Sequence, residues 1–295
     1  MGKAVSIILP AYNAEKYIGR MLNSINNQTY HDIECIVVND GSTDHTKEIL
    51  EEYKEKFEKN KKILKILEQE NKGQAAAINL ALKHVTGEYF IWADSDDFFE
   101  LDAFEIMVNS LEKNKDIDFV RCNAIVRLEN DVEKVHNIRK QRDFKQQNIL
   151  DDYIYYREDR IPTYIGIIMT RFEYFKKKNK GLDINENRVG QNLQLIIPIV
   201  YNAKALCLDK EVYNYVIRMD SHSRTKRTKK EKIQRMYNAR NLRIETINKV
   251  MEKEDIKKYT KIINRMFSKR VIKEIFISDL IRVKNKIKRI IKGEK

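Results

Sequence analysis

Three carboxylates within four positions, Asp94, Asp96 and Asp97 with Ser95 between them, are the residues of this chain best suited to chemistry. Like charges this close repel one another unless something positive sits among them. If the segment is extended, alternate side chains share a side, so Asp94 and Asp96 could share one divalent cation with Asp97 supporting from the next position. An all-oxygen ligand set favours Mg²⁺ or Mn²⁺ over zinc. The plainer alternative, for an isolated Asp-x-Asp, is an acidic turn that caps the following helix.

What precedes the cluster decides how it is presented. Tyr89–Ala93 (YFIWA) is apolar, too short for a globular helix and rich in aromatic side chains, which predicts a buried strand ending at Asp94. The same unit recurs upstream. Val5–Leu9 is a strand broken by Pro10-Ala11-Tyr12-Asn13, and Ile33–Val38 is a strand closed by Asn39-Asp40-Gly41-Ser42. Ile63–Leu67 is a third, leaving through Glu70-Asn71-Lys72-Gly73-Gln74. Helical patterns follow each loop, at Ile18–Ile25, Ile49–Phe57 and Ala75–Val85. Alternating strand and helix at this spacing requires right-handed crossovers, hence a mostly parallel central sheet flanked by helices.

All four unusual loops then leave the carboxyl ends of strands, the edge at which open α/β sheets bind ligands. There Asp40 could accept hydrogen bonds from a base or ribose, Tyr12 could stack or donate, and Lys72 could neutralise phosphate. Taken singly each has a bland reading: Asp40-Gly41-Ser42 as a turn, Tyr12 as a core aromatic, Lys72 as a solvated lysine. No G-x-x-x-x-G-K-[ST] loop is present, and no G-x-G-x-x-G follows the first strand. A phosphatase with an aspartyl nucleophile would carry its Asp-x-Asp after the first strand rather than the fourth.

With 295 residues the chain can bury a large core. Its formal net charge of +13 is concentrated at one end: residues 226–295 hold 24 Lys/Arg against 8 Asp/Glu, and the remainder is close to neutral. Cys35, Cys122 and Cys207 lie far apart with no metal-ligand spacing, which predicts reduced, buried thiols and a cytoplasmic setting. No signal-peptide layout and no membrane-spanning apolar run is read.

Residues 4–100, with AVSIILPAYNAEKYIGRMLNSINNQTYHDIECIVVNDGSTDHT, then NKGQAAAINLAL, then GEYFIWADSDD, resemble the N-terminal half of a family 2 glycosyltransferase of the GT-A fold. The resemblance implies residues 1–225 as the GT-A domain, with 1–100 binding the nucleotide-sugar and 101–225 the acceptor; the charge and apolar spacing of 226–295 read as a basic helical C-terminal region. It implies a UDP-sugar donor, with Pro10, Ala11, Tyr12 and Asp40 around uracil and ribose and Lys72 and Gly73 beside nucleotide and sugar. Asp94, beside Ser95, would approach the ribose or sugar, and Asp96 would be the main ligand of Mn²⁺ or Mg²⁺. The acceptor would be a cell-surface glycan, lipid-linked sugar or other glycoconjugate, and transfer would invert the anomeric centre.

Family members usually supply the general base as the Asp of a Gly-Glu-Asp segment. Here the corresponding stretch reads Gly190-Gln191-Asn192, and an amide takes no proton at neutral pH. Three explanations stand: another carboxylate such as Asp183 or Glu186 serves, the acceptor needs little deprotonation, or transfer activity is lost. The resemblance also assigns Arg218 to phosphate and His222 to metal or phosphate. Finally, residues 271–291 space apolar side chains three or four apart among Arg and Lys. That pattern fits peripheral contact with an anionic membrane at the inner face of the cell, or packing on the main domain or on a second subunit. Nucleic acid is the least favoured partner, since no recognition motif accompanies the charge.

Overall fold

The computed structural model describes residues 4–140, 149–155, 164–181, 183–186, 190–218 and 227–291. The chain divides into two compact units, 1–219 and 220–295.

The first unit begins with the predicted repeat: β1 (Val5–Ala11), α1 (Ile18–Asn26), β2 (Ile33–Asp40), α2 (Thr46–Lys59), β3 (Ile63–Gln69), α3 (Gln74–Leu82) and β4 (Tyr89–Trp92). Next come β5 (Phe98–Phe99), α4 (Ala103–Lys113), β6 (Phe119–Leu128), β7 (Asn137–Arg139), α5 (Leu150–Tyr155), β8 (Ile168–Arg171), α6 (Phe172–Lys178), α7 (Gln191–Val200) and β9 (Ala205–Ile217). One sheet runs β3-β2-β1-β4-β8-β6-β9-β5, with β7 alongside β6. It is parallel from β3 to β4, as the repeat requires, and mixed beyond, because β8 pairs antiparallel with both β4 and β6.

The strand order reverses between β1 and β4, and there the sheet opens. Val5 and Ile8 pair with Tyr89 and Trp92, and the last bond across is Ala93 N–H to Ile8 O at 3.2 Å. Beyond it β4 turns away while β1 runs on beside β2, with Pro10 opposite Val38. Pro10 has no N–H to offer and sits where the β4 side of β1 no longer needs one. β1 and β4 therefore part at the switch point, with a proline on one strand and an acidic turn on the other.

Below this edge β1, β2 and β4 are almost wholly buried, and the three cysteines of the chain are buried as well. One buried cation belongs to the scaffold. Lys62, just before β3, donates its ammonium to Asn26 O at 2.7 Å and Gln28 O at 2.8 Å, where α1 ends. Backbone carbonyls at a helix C-terminus are otherwise orphaned, and a positive charge suits them.

The second unit is a helical hairpin of α8 (Lys229–Val250) and α9 (Lys253–Ile291), and α8 opens on a capping box between Thr228 and Glu231. Among the described residues no helix is long and apolar enough to cross a membrane.

Replacing Lys62 by Met keeps the buried stem but strips those carbonyls of their donor. The expected cost is about 2–4 kcal/mol of stability, read from the midpoint of urea unfolding at unchanged slope.

Candidate active site at the sheet edge

The four strand-exit loops are joined in series by hydrogen bonds. At the first junction Asn13, in the left-handed region at φ 46°, accepts from Thr43 N–H through Oδ1 at 2.8 Å, and its own N–H donates to Ser42 Oγ at 3.0 Å. Glu15 N–H donates to Asp44 Oδ2 at 3.0 Å, and His45 N–H returns a bond to Glu15 Oε2 at 3.1 Å. The second junction is Asp40. Its Oδ1 accepts from Gln69 Nε2 at 2.6 Å and Lys72 N–H at 2.9 Å, and its Oδ2 from Gly73 N–H at 2.9 Å. Gly41 is required here twice over: its φ is +68°, and a Cβ would lie 2.7 Å from Asn71 N. The third junction is Gln74, first residue of α3, whose Nε2 donates to Asp94 Oδ1 at 2.9 Å.

Asp40 is thus buried and its carboxylate largely committed to shaping the Lys72-Gly73 loop. Tyr12 stands out from the same rim with 47% of its surface exposed, an open ring rather than a core aromatic. Pro10 is half-buried and Ala11 buried beneath it; the Lys72 side chain is exposed to solvent.

The acidic cluster is a turn rather than an extended segment, closed by Asp97 N–H to Asp94 O at 3.3 Å. This changes the expected division of labour. Asp97 does not support a cation site: it is buried, with Oδ2 accepting from Tyr213 Oη at 2.7 Å and Oδ1 from Val216 N–H at 2.8 Å. Tyr213 Oη also accepts from Asp94 N–H at 3.3 Å, so one phenol on β9 pins both ends of the turn. Its ring lies against Gly166, where a Cβ would fall 2.1 Å from the ring. Arg20 of α1 supports the turn from below, donating to Asp96 O at 2.5 Å.

What remains on the open side is Asp94 and Asp96, with Ser95 half-buried between them. Arg218, at the exit of β9, places Nε 3.0 Å from Asp96 Oδ2 and its guanidinium 4.6 Å from the centre of the Tyr17 ring. Burial and the neighbouring charge of Asp96 push the Asp94 carboxyl up to about 7, against the pull of Gln74 and Arg218. Asp97 is raised well above the carboxylate range by burial, then by Asp96 and Asp94. A pair of carboxylates that resist ionising together is what a divalent cation would relieve. Among the described residues no group of three or more His, Cys, Asp or Glu could hold a metal. A cation here would take Asp94 and Asp96 and fill its remaining positions with phosphate oxygens and water, which suits Mg²⁺ or Mn²⁺. His222 lies outside the described residues.

Residues 184 and 186 attach to α3, the helix that Gln74 opens. Asn79, on that helix, pairs with the backbone of Ile184: Oδ1 accepts from Ile184 N–H at 2.8 Å and Nδ2 donates to Ile184 O at 2.9 Å. Gln194 on α7 does the same for Asn185, at 2.6 and 3.0 Å. Two buried side-chain amides therefore grip residues 184 and 185 as a neighbouring strand would. Glu186, exposed, follows directly, with Oε1 3.4 Å from Asn79 Nδ2; Asp183, also exposed, precedes. Gln191 and Asn192 open α7 behind Gly190, which is left-handed at φ 77°. Asn79, Gln194, Tyr213, Gly166 and Arg20 escaped the sequence reading, and all but Gln194 act through partners remote in the chain; Asn79 and Gln194 gave a local sign, each an amide inside the apolar run of its helix.

Residues 6–178, more than half of the chain, match the domain described as Glycosyl transferase family 2, and the chain belongs to that family. Over 107 residues, 36% of this chain and 15% of the relative, it is 44% identical to the glycosyltransferase GlyA of Streptococcus pneumoniae. Over 232 residues, 77% of this chain and 24% of the relative, it is 30% identical to the minor teichoic acid biosynthesis protein GgaB of Bacillus subtilis. Among solved structures, S. aureus TarS 1-349 in complex with UDP-GlcNAc aligns with a TM-score of 0.66 at 25% identity, over 90% of this chain and 73% of that one. The architecture is accordingly GT-A. The matched region spans less than half the length of the curated relatives.

Two outcomes test this geometry. Gly166→Ala should cost about 1–3 kcal/mol in urea unfolding, because the added methyl meets the buried Tyr213 ring, and most of that cost should vanish when Tyr213 is also replaced by Ala. Asp94, whose carboxyl is raised, adds stability to the metal-free protein that is complete below the unfolded carboxylate value and lost as pH rises through about 7. Asp94→Asn should therefore flatten the melting temperature between pH 5 and pH 8, the range in which the wild type declines relative to it.

Proposed function

We propose that this chain is a metal-dependent, inverting glycosyltransferase that moves a sugar from a UDP-sugar to a hydroxyl of a cell-surface glycan, lipid-linked sugar or other glycoconjugate, working in the cytoplasm at the inner face of the membrane. The observation that carries the reading is the hydrogen-bonded series of four loops at the switch point, running from Asn13 through Asp40 to Asp94. Family membership and the likeness to a UDP-GlcNAc-bound structure support it; the teichoic acid relative supports a surface-polymer acceptor.

In this reading Tyr12 stacks on uracil over Pro10 and Ala11, and the remaining capacity of Asp40 reads the base or ribose. Lys72 and Gly73 lie along the nucleotide and sugar, and Ser95 completes the turn beside them. Asp94 and Asp96 would hold Mn²⁺ or Mg²⁺, which when bound supplies a Lewis acid for the charge that develops on the departing diphosphate. Arg218 leaves Asp96 for a phosphate oxygen, exchanging one anionic partner for another. A sugar whose anomeric carbon gains oxocarbenium character needs its attacking hydroxyl held and deprotonated on the opposite face. Gln191 and Asn192 orient that hydroxyl, and Glu186 takes its proton from the amide-gripped segment.

One observation favours a second reading: the two residues that open α7 are amides, so the chain could bind a nucleotide-sugar without transferring from it. UDP release from a panel of UDP-sugars with Mn²⁺, with and without candidate lipid-linked acceptors, separates the two. If donors raise the melting temperature but none is turned over, the silent reading holds.

Asp96→Ala should lower metal-dependent UDP release by about 100-fold or more, the scale on which metal sites lose function; wild-type release unaffected by chelator would defeat the metal assignment. Mn²⁺ should bind about tenfold more weakly at pH 6 than at pH 8, read by titration without donor, since Asp94 must lose its proton to ligate. Glu186→Gln should reduce kcat by about 100-fold or more with little change in the KM for donor.

A further inference from the structure

We infer that the last turns of α9 are a docking surface for an anionic lipid bilayer. The inference goes beyond the donor site and rests on how the hairpin pairs. Arg240 Nε donates to Asn264 Oδ1 at 2.7 Å, the Tyr237 and Phe267 rings lie 4.5 Å apart, and Lys232 Nζ meets Glu274 Oε1 at 2.9 Å. These antiparallel contacts set a register in which Lys229, the first residue of α8, comes level with the region of Phe276. From there to Ile291 the helix runs on beyond α8, a length of about 22 Å at 1.5 Å per residue.

Burial along the hairpin follows this register. Near its turn Ile247, Tyr259 and Ile263 are buried; at the other end Ile272 is 53% exposed and Phe276 65%. The sequence then continues the spacing these two begin. At about 100° per residue, positions 272, 276, 280, 283, 287 and 290, all apolar, fall within an arc of about 80°. Between residues 269 and 292 stand nine Lys/Arg against two Asp/Glu.

Charge decides the occupant. A second copy of the same helix would bring the same dense positive charge against itself, whereas an anionic headgroup layer neutralises it. The apolar stripe enters the acyl boundary while the long basic side chains keep their heads in the headgroups. An interfacial helix needs no membrane-crossing length, consistent with the residues between 269 and 292 being too charged to span.

The test is co-sedimentation of the full chain with vesicles of pure phosphatidylcholine and with vesicles containing 30 mol% phosphatidylglycerol, as a rough model of an anionic surface. The protein should partition onto the phosphatidylglycerol vesicles at least about tenfold more strongly, release as NaCl rises towards about 0.5 M, and lose binding in Ile272→Glu/Phe276→Glu and separately in Lys284→Glu/Lys288→Glu. Both positions of the first variant are exposed, so circular dichroism should report an unchanged fold. Equal partition onto both vesicle types, no partition onto either, or a concentration-dependent dimer by light scattering that disappears in the same variants without vesicle binding would each overturn the proposal. No donor or acceptor enters the assay, so its failure leaves the sheet-edge assignment untouched.

Discussion

The grip of β9 on the acidic turn is the constraint on which the rest of the site depends. A turn carrying three carboxylates has no intrinsic reason to hold one shape, because mutual repulsion drives it apart. Asp97 resolves this by leaving the group. With its oxygens on the Tyr213 phenol and the Val216 amide, it becomes part of the wall, and the same phenol catches Asp94 N–H. Only then can Asp94 and Asp96 stand together on the open side. The acidic turn is thus not held until a strand more than a hundred residues downstream has paired with β5.

That dependence also explains what was legible in the sequence. The loops after β1, β2 and β3 announced themselves because turn-forming residues and strand ends are local features, and the alternation of strand and helix fixes which edge they share. The role of Asp97 was not legible. Alternation along an extended strand would have made it a helper to the metal pair, and the segment is not extended. Nor could Gly166 be read: its meaning is the ring of Tyr213, which reaches across the sheet to occupy the place of a side chain. Asp40 was found for the right loop, but its main visible duty is to fold the Lys72-Gly73 turn, a contact that pairing of β2 with β3 creates.

The departure at Gln191-Asn192 takes on a different colour in three dimensions. The helix those amides begin is itself bound, through Gln194, to the segment that carries Asp183 and Glu186. Where the head of α7 offers amides, carboxylates stand a few residues away on a segment bound to the same helix. At the sheet-edge rim, by contrast, every loop is engaged with its neighbour.

The amide pairing of Asn79 and Gln194 with the main chain differs in kind from the contacts of the acidic turn. Amides neither titrate nor carry net charge, so the four hydrogen bonds that hold the backbone of residues 184 and 185 do not themselves change with pH. The acidic turn sets carboxylates beside a guanidinium, whose balance shifts with acidity and with salt. A change of pH or ionic strength therefore acts on the group of Asp94, Asp96 and Arg218 and leaves the amide contacts of Asn79 and Gln194 in place.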